Sequence, residues 1–164
     1  MSDYERTSRI CVFSQIQPIL QIALRQEAED FGCGQIPTDI LICIETISQC
    51  KQANIFTRLK NKVVGLPPPG SVQYCGAVVM PGWLIWAFTH WDCDDSATAL
   101  SVRLQESEIS DYKFNHLVED YGLNILGFSS GSSERSLKFL GLEPGVAAEQ
   151  FKQILQQASD AIRV

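Results

Sequence analysis

The chain has 164 residues, of which 45% are apolar and 20% charged, and its formal net charge is −6. These proportions exclude a disordered chain, a collagen-like fibre and a coiled coil, and the length suits one ordinary domain with room for an appendage. The acidic balance argues against broad nucleic-acid binding, which needs clustered Lys and Arg, and no apolar run reaches the roughly 18 residues of a spanning helix.

The first twelve residues show no clear period. Ser14 with Gln17 three residues on has the pattern of a capping box, and Pro18 suits a first helical turn. Ile16, Ile19, Leu20, Ala23 and Leu24 then recur at helical spacing and Gly32 supplies a stop, which predicts a helix over 15–30. From Thr38 the composition turns to β-branched residues, and the run Asp39 to Ser48 reads as a strand. Residues 49–70 read as a long loop ending in the stiff connector Pro67-Pro68-Pro69-Gly70.

Two β-rich runs, Val72–Met80 and Trp83–Trp91, flank Pro81-Gly82 and predict a tight antiparallel hairpin. In the second run, alternation puts Trp83, Ile85, Ala87, Thr89 and Trp91 on one face and Leu84, Trp86, Phe88 and His90 on the other. Both faces are apolar, so one needs an opposing sheet, and the other is either covered by the N-terminal helix or an exposed contact patch for another chain, a second copy in a homodimer included. Asp92 to Ser96 reads as a polar turn. Strands are expected at 97–105, 108–114, 123–128 and 135–142, with a serine-rich turn at 129–133. At the end, Ala147, Phe151, Ile154, Leu155, Ala158 and Ile162 form one apolar stripe opposed by charged and amide residues, which predicts an amphipathic helix.

Helix, about seven strands, helix, with connections too short for parallel crossovers, argues an α+β fold with antiparallel strands. Seven strands closed by a C-terminal amphipathic helix resembles the pleckstrin-homology (PH) arrangement. The segment Gly76-Ala-Val-Val-Met-Pro-Gly-Trp-Leu-Ile85 is similar to the strand-turn-strand pattern of bacterial PH-like and GRAM-like domains, with Met80 where Thr is common. The resemblance implies a PH-like antiparallel β-barrel or sandwich over 37–164, sealed by the terminal helix, and makes 1–36 an N-terminal extension with its own helix. It also implies binding rather than catalysis. In lipid-binding PH-like domains, basic residues in the first inter-strand loop hold phosphates, and here that loop is 49–70.

The charges point to the same loop. Residues 46–91 carry four bases and no acid, whereas 92–164 carry twelve acids and six bases. The four bases are Lys51, Arg58, Lys60 and Lys62, and they are interleaved with Ile55, Phe56 and Leu59. Cations with apolar tips suit an acidic protein partner or an anionic membrane surface. Lys51, Ile55, Phe56, Arg58, Lys60 and Lys62 are therefore the candidate ligand residues. The expected function is a non-enzymatic cytoplasmic binding or adaptor module with a protein partner. Binding of an anionic lipid or phosphate headgroup through this loop is the alternative.

Catalytic and metal signatures are sparse. The only histidines are His90 and His116, no nucleophile motif is present, and a Cys93–His90 pair is a matter of chance proximity. Asp92, Asp94 and Asp95 read as turn residues, since their spacing lacks the Gly and Glu of a calcium loop. The six cysteines, at 11, 33, 43, 50, 75 and 93, include no Cys-x-x-Cys spacing. The leading MSDYERTSRI has no apolar stretch of a signal peptide, so free thiols in a reducing compartment are expected. A thiol-based redox sensor or enzyme built on Cys93 or Cys33 is a third alternative. No cofactor and no metal are expected.

Overall fold

The structure, a computed structural model, describes residues 4–51, 67–91, 93–112 and 120–163, and only the backbone at 93 and 94. Among these residues the chain runs β1 (Tyr4–Ile10), a 3-10 turn (Phe13–Gln15), α1 (Pro18–Phe31), β2 (Ile42–Cys50), β3 (Val72–Met80), β4 (Trp83–His90) and β5 (Cys93–Arg103). A second 3-10 turn (Leu104–Glu106) leads to β6 (Glu108–Asp111), β7 (Gly122–Phe128), β8 (Arg135–Gly141) and α2 (Val146–Ile162). The fold is α+β, with one five-stranded sheet in the order β1-β2-β3-β4-β5 and one three-stranded sheet in the order β6-β7-β8. Every strand pair is antiparallel. The expected barrel does not close: among the described residues the two ladders remain separate sheets, linked at one corner by an isolated antiparallel bridge between Val102 and Ser129 and by the 2.9 Å bond from Ser130 N–H to Ser101 O.

The hairpin at Pro81-Gly82 forms as expected, with Met80 opposite Trp83 and Gly82 at φ 82°, a backbone region costly for any other residue. Both faces of β4 are covered. Trp83, Ile85 and Ala87 pack with Ile16, Leu20 and Leu24 of the α1 layer. Leu84 and Trp86 pack with Leu123, Ile125 and Leu140 of the second sheet and with Phe151 and Leu155 of α2. The molecule is thus layered as α1, large sheet, then small sheet with α2. Close approach of α1 depends on Gly76, where a Cβ would lie 3.1 Å from Ile16 Cγ2.

Several expectations are corrected. The lead at 4–10 is a strand, and it pairs with β2 from Tyr4–Cys50 to Ile10–Ile44. The period was hidden because the inward positions are occupied by Arg6 and Ser8 as well as Tyr4 and Ile10. Those polar side chains are satisfied by tertiary contacts. Arg6 Nη2 bonds Asp120 Oδ2 at 3.0 Å and Arg6 Nε bonds Ser48 Oγ at 3.0 Å, while Ser8 Oγ shares a 2.8 Å bond with Thr46. The α1 N-terminus does not use Ser14: the cap is Gln17, whose N–H donates to Glu45 Oε1 on β2 at 2.9 Å. A buried carboxylate there complements the helix dipole. Gly32 stops α1 in the left-handed region, as expected. The polar turn at 92–96 is shorter than expected, because β5 begins at Cys93. A register shift between Thr89 and His90 places the extra residues on β5, and Trp91, just beyond β4, stacks its ring on Tyr4 at 5.4 Å.

Candidate functional site

The basic loop joins β2 to β3. Its ends are pinned where Cys50 N–H donates to Ser71 O and Gly70 N–H donates to Cys50 O, both at 2.9 Å. Lys51 is exposed at this exit. Ile55, Phe56, Arg58, Lys60 and Lys62 lie outside the described residues, as do His116, Asp92 and the side chains of Cys93 and Asp94. His90 is exposed, with Nε2 3.3 Å from Thr98 Oγ1. Asp95 is exposed, and among the described residues no group of three or more His, Cys, Asp or Glu is placed to hold a metal.

The larger concavity is a groove of about 580 Å3 between β6 and α2. Strand β6 is an edge of its sheet. Tyr112 N–H donates to Gly122 O at 3.0 Å, so the antiparallel alternation turns Ser110 and Glu108 towards β7 as well. Ile109 and Asp111 then direct their N–H and C=O groups away from β7, on the side that has no strand partner among the described residues, and both residues line the groove. The opposite wall is one face of α2, with Lys152, Gln156, Ser159 and Arg163 at spacings of four, three and four. Leu123 and Leu155, both buried, form the apolar floor. At one end Arg163 Nη2 donates to Ser107 O at 3.2 Å.

The other end carries a charged cluster. Lys152 Nζ lies 2.8 Å from Asp111 Oδ1, donates to Tyr121 Oη at 2.7 Å, and sits 4.3 Å from that ring's centroid. Tyr121 Oη in turn donates to Glu149 Oε1 at 2.7 Å. Burial alone would lower the Lys152 pKa, but its bonds to Asp111 and Tyr121 outweigh burial and push it up to about 12. Burial raises the Tyr121 phenol above its ordinary value, and the bond from Tyr121 lowers Glu149. All three shifts hold the groups in their neutral-pH protonation states. The cluster is suited to holding charge in place rather than to moving protons.

A second groove, of about 450 Å3, lies between the end of β1, the approach to β2 and α2. Cys11 and Cys43 are on its wall, and Val12 and Leu41 are exposed along it. Neither groove was visible in the sequence, because each joins segments more than 30 residues apart. The polar stripe of α2 was legible as a helix face, but nothing local marked it as one wall of a cleft. In comparisons with protein-family models, curated proteins and solved structures, nothing matches this chain.

Proposed function

We propose that the chain is a non-enzymatic binding module of PH-like type that docks an extended segment of a protein partner along β6. The observation that carries this reading is the groove in which a strand edge, unpaired among the described residues, faces a helix wall across an apolar floor. An incoming strand would gain main-chain hydrogen bonds from Ile109 and Asp111, while its alternate side chains would meet Leu123 and Leu155. The PH-like assignment is supported by antiparallel strands in two sheets with the C-terminal helix packed on both. In this reading β1 is an added edge strand, and the basic loop follows the first strand of the PH-like unit. A reducing, cytoplasmic setting belongs to the same reading and is supported by the free thiols of Cys11, Cys33, Cys43, Cys50 and Cys75.

Selection from a library of displayed random peptides tests the reading. Binders are expected to be extended segments, retained by the wild-type chain and weakened about tenfold or more by Ile109→Pro, which removes an outward donor. Gln156→Trp, a substitution at an exposed helix position, fills the groove from its other wall and is expected to weaken the same peptides. Peptides retained equally by the wild-type chain and both variants would overturn the proposal. Flotation with anionic vesicles checks the other ligand class: salt-sensitive binding lost on charge reversal at Arg58 and Lys60 would move the site to the loop.

A further inference from the structure

Cys11 follows β1 directly and Cys43 is the second residue of β2. The β1–β2 register puts Ile10 opposite Ile44, so the next pair is Cys11 opposite Cys43. The backbone agrees: Cys11 N–H donates to Cys43 O at 3.2 Å. The two sulfurs are 3.8 Å apart. Residues paired in this way have Cα atoms roughly 5.5 Å apart, inside the range that a disulfide spans. Closing the sulfurs to about 2.05 Å requires side-chain rotation and a small backbone movement. Cys11 lies one residue beyond the end of β1.

The two thiols are not equivalent. Cys43 is buried, while Cys11 is half-exposed and lines the open second groove. The Cys43 thiol hydrogen-bonds Cys11 and lowers its pKa. Arg9 works in the same direction, and burial and Glu45 oppose it. Cys43 itself is raised, by that same bond and by burial. An accessible sulfur with thiolate character beside a buried partner is the arrangement of an attacking and a resolving cysteine. Among the other described thiols, Cys33 and Cys50 are buried, while Cys75 is half-exposed like Cys11 but has its pKa pushed up to about 12 by its apolar surroundings, with no cysteine beside it in the strand register.

We propose that Cys11 and Cys43 form a redox-active pair that a small-molecule disulfide of the glutathione type converts to an intramolecular disulfide. In the first step the Cys11 thiolate attacks one sulfur of the reagent, a mixed disulfide forms, the reagent's S–S bond breaks, and one thiolate leaves and takes up a proton. In the second step Cys43 gives its proton to water and attacks the Cys11 sulfur, which displaces the second thiolate. Two electrons pass from the cysteine pair to the reagent, which is released as two thiols. The product ties the end of β1 to β2 beside the second groove. It makes no use of the β6 groove, so it stands or falls apart from peptide docking.

The test treats the folded wild-type chain with oxidised glutathione, quenches in acid, alkylates the remaining thiols after denaturation, and maps the digest by mass spectrometry. The expected product is a Cys11–Cys43 linked peptide pair lighter by two hydrogens, with Cys33, Cys50 and Cys75 alkylated. The variant Cys43→Ser, checked for folding by circular dichroism, is expected to retain glutathione on Cys11, because the resolving sulfur is gone. Cys11→Ser is expected to leave Cys43 alkylated only after denaturation. The proposal is overturned if, after treatment of the folded wild-type chain in a buffer that fully oxidises dithiothreitol, Cys11 and Cys43 are both found alkylated by the denaturing step. It is also overturned if glutathione or a disulfide settles on other cysteines while this pair stays reduced.

Discussion

Removing Asp120 tests how the two sheets are joined. Arg6 enters from β1 and Asp120 precedes β7, and their side chains are only 10% and 7% exposed. The guanidinium also bonds Ser48, stacks 4.8 Å from the Tyr4 centroid and 5.8 Å from the Phe139 centroid, and fills space that a Cβ at Gly141 would occupy. Burial holds the Arg6 pKa below its ordinary value, a sign that the cation is poorly solvated without its partner. Asp120→Ala therefore leaves a buried, uncompensated charge, at a cost of about 3 to 5 kcal/mol. With 164 residues the unfolding entropy is about 0.34 kcal/mol/K, so Tm is expected to fall by about 9 to 15 °C. The bond to Ser48 and the two rings survive, which favours the lower end. The assay is a thermal melt followed by circular dichroism, with urea midpoints for confirmation. The double variant Arg6→Met with Asp120→Leu is expected to recover most of the loss, since two apolar chains of similar volume need no counter-charge. A loss in Asp120→Ala of less than about 3 °C, the effect of an exposed ion pair, would refute the claim that this charge is buried at the junction.

Two further predictions follow the same logic. Glu27 of α1 is 8% exposed, and its Oε1 accepts from Ser101 Oγ on β5 at 2.8 Å. Ser101→Ala is expected to cost about 1 to 3 kcal/mol in urea titration, and Glu27→Met in the same background to restore part of it. Lys152 titrates near 12 in the folded chain against 10.5 for the free side chain. Because the folded value is the higher one, its stabilisation is complete below the free value and fades as pH rises through the folded value. The urea-midpoint difference between the wild-type chain and Lys152→Met should thus be constant from pH 7 to 10 and shrink towards pH 12; a difference that grows with alkalinity would contradict the assigned partners.

Much of the chain is legible residue by residue. The β3–β4 hairpin follows from β-branched and aromatic runs around Pro81-Gly82, and α2 follows from the spacing of Phe151, Leu155 and Ala158. The two apolar faces of β4 called for an opposing sheet on one side and left the other between the N-terminal helix and a contact patch; the structure covers it with α1. What escaped was whatever a distant residue completes. Arg6 and Ser8 break the apolar pattern of β1, and they are tolerated inside only because Asp120, Ser48 and Thr46 await them. The α1 cap escaped for the same reason, since its acceptor, Glu45, lies 28 residues away.

The candidate sites divide along the same line. Charge clustering singles out Lys51, Arg58, Lys60 and Lys62 because it is a property of neighbours in sequence. The groove of Ile109, Asp111, Lys152 and Arg163, and the Cys11–Cys43 pair, have no local signature. Periodicity and turn chemistry act over a few residues, so by itself the sequence determined both helices, the antiparallel hairpin and the apolar character of both faces of β4. Which elements became neighbours depended on cross-strand register and on satisfying buried charge. The tertiary structure alone therefore decided the split into two sheets, the open edge of β6 and the meeting of two thiols from separate strands.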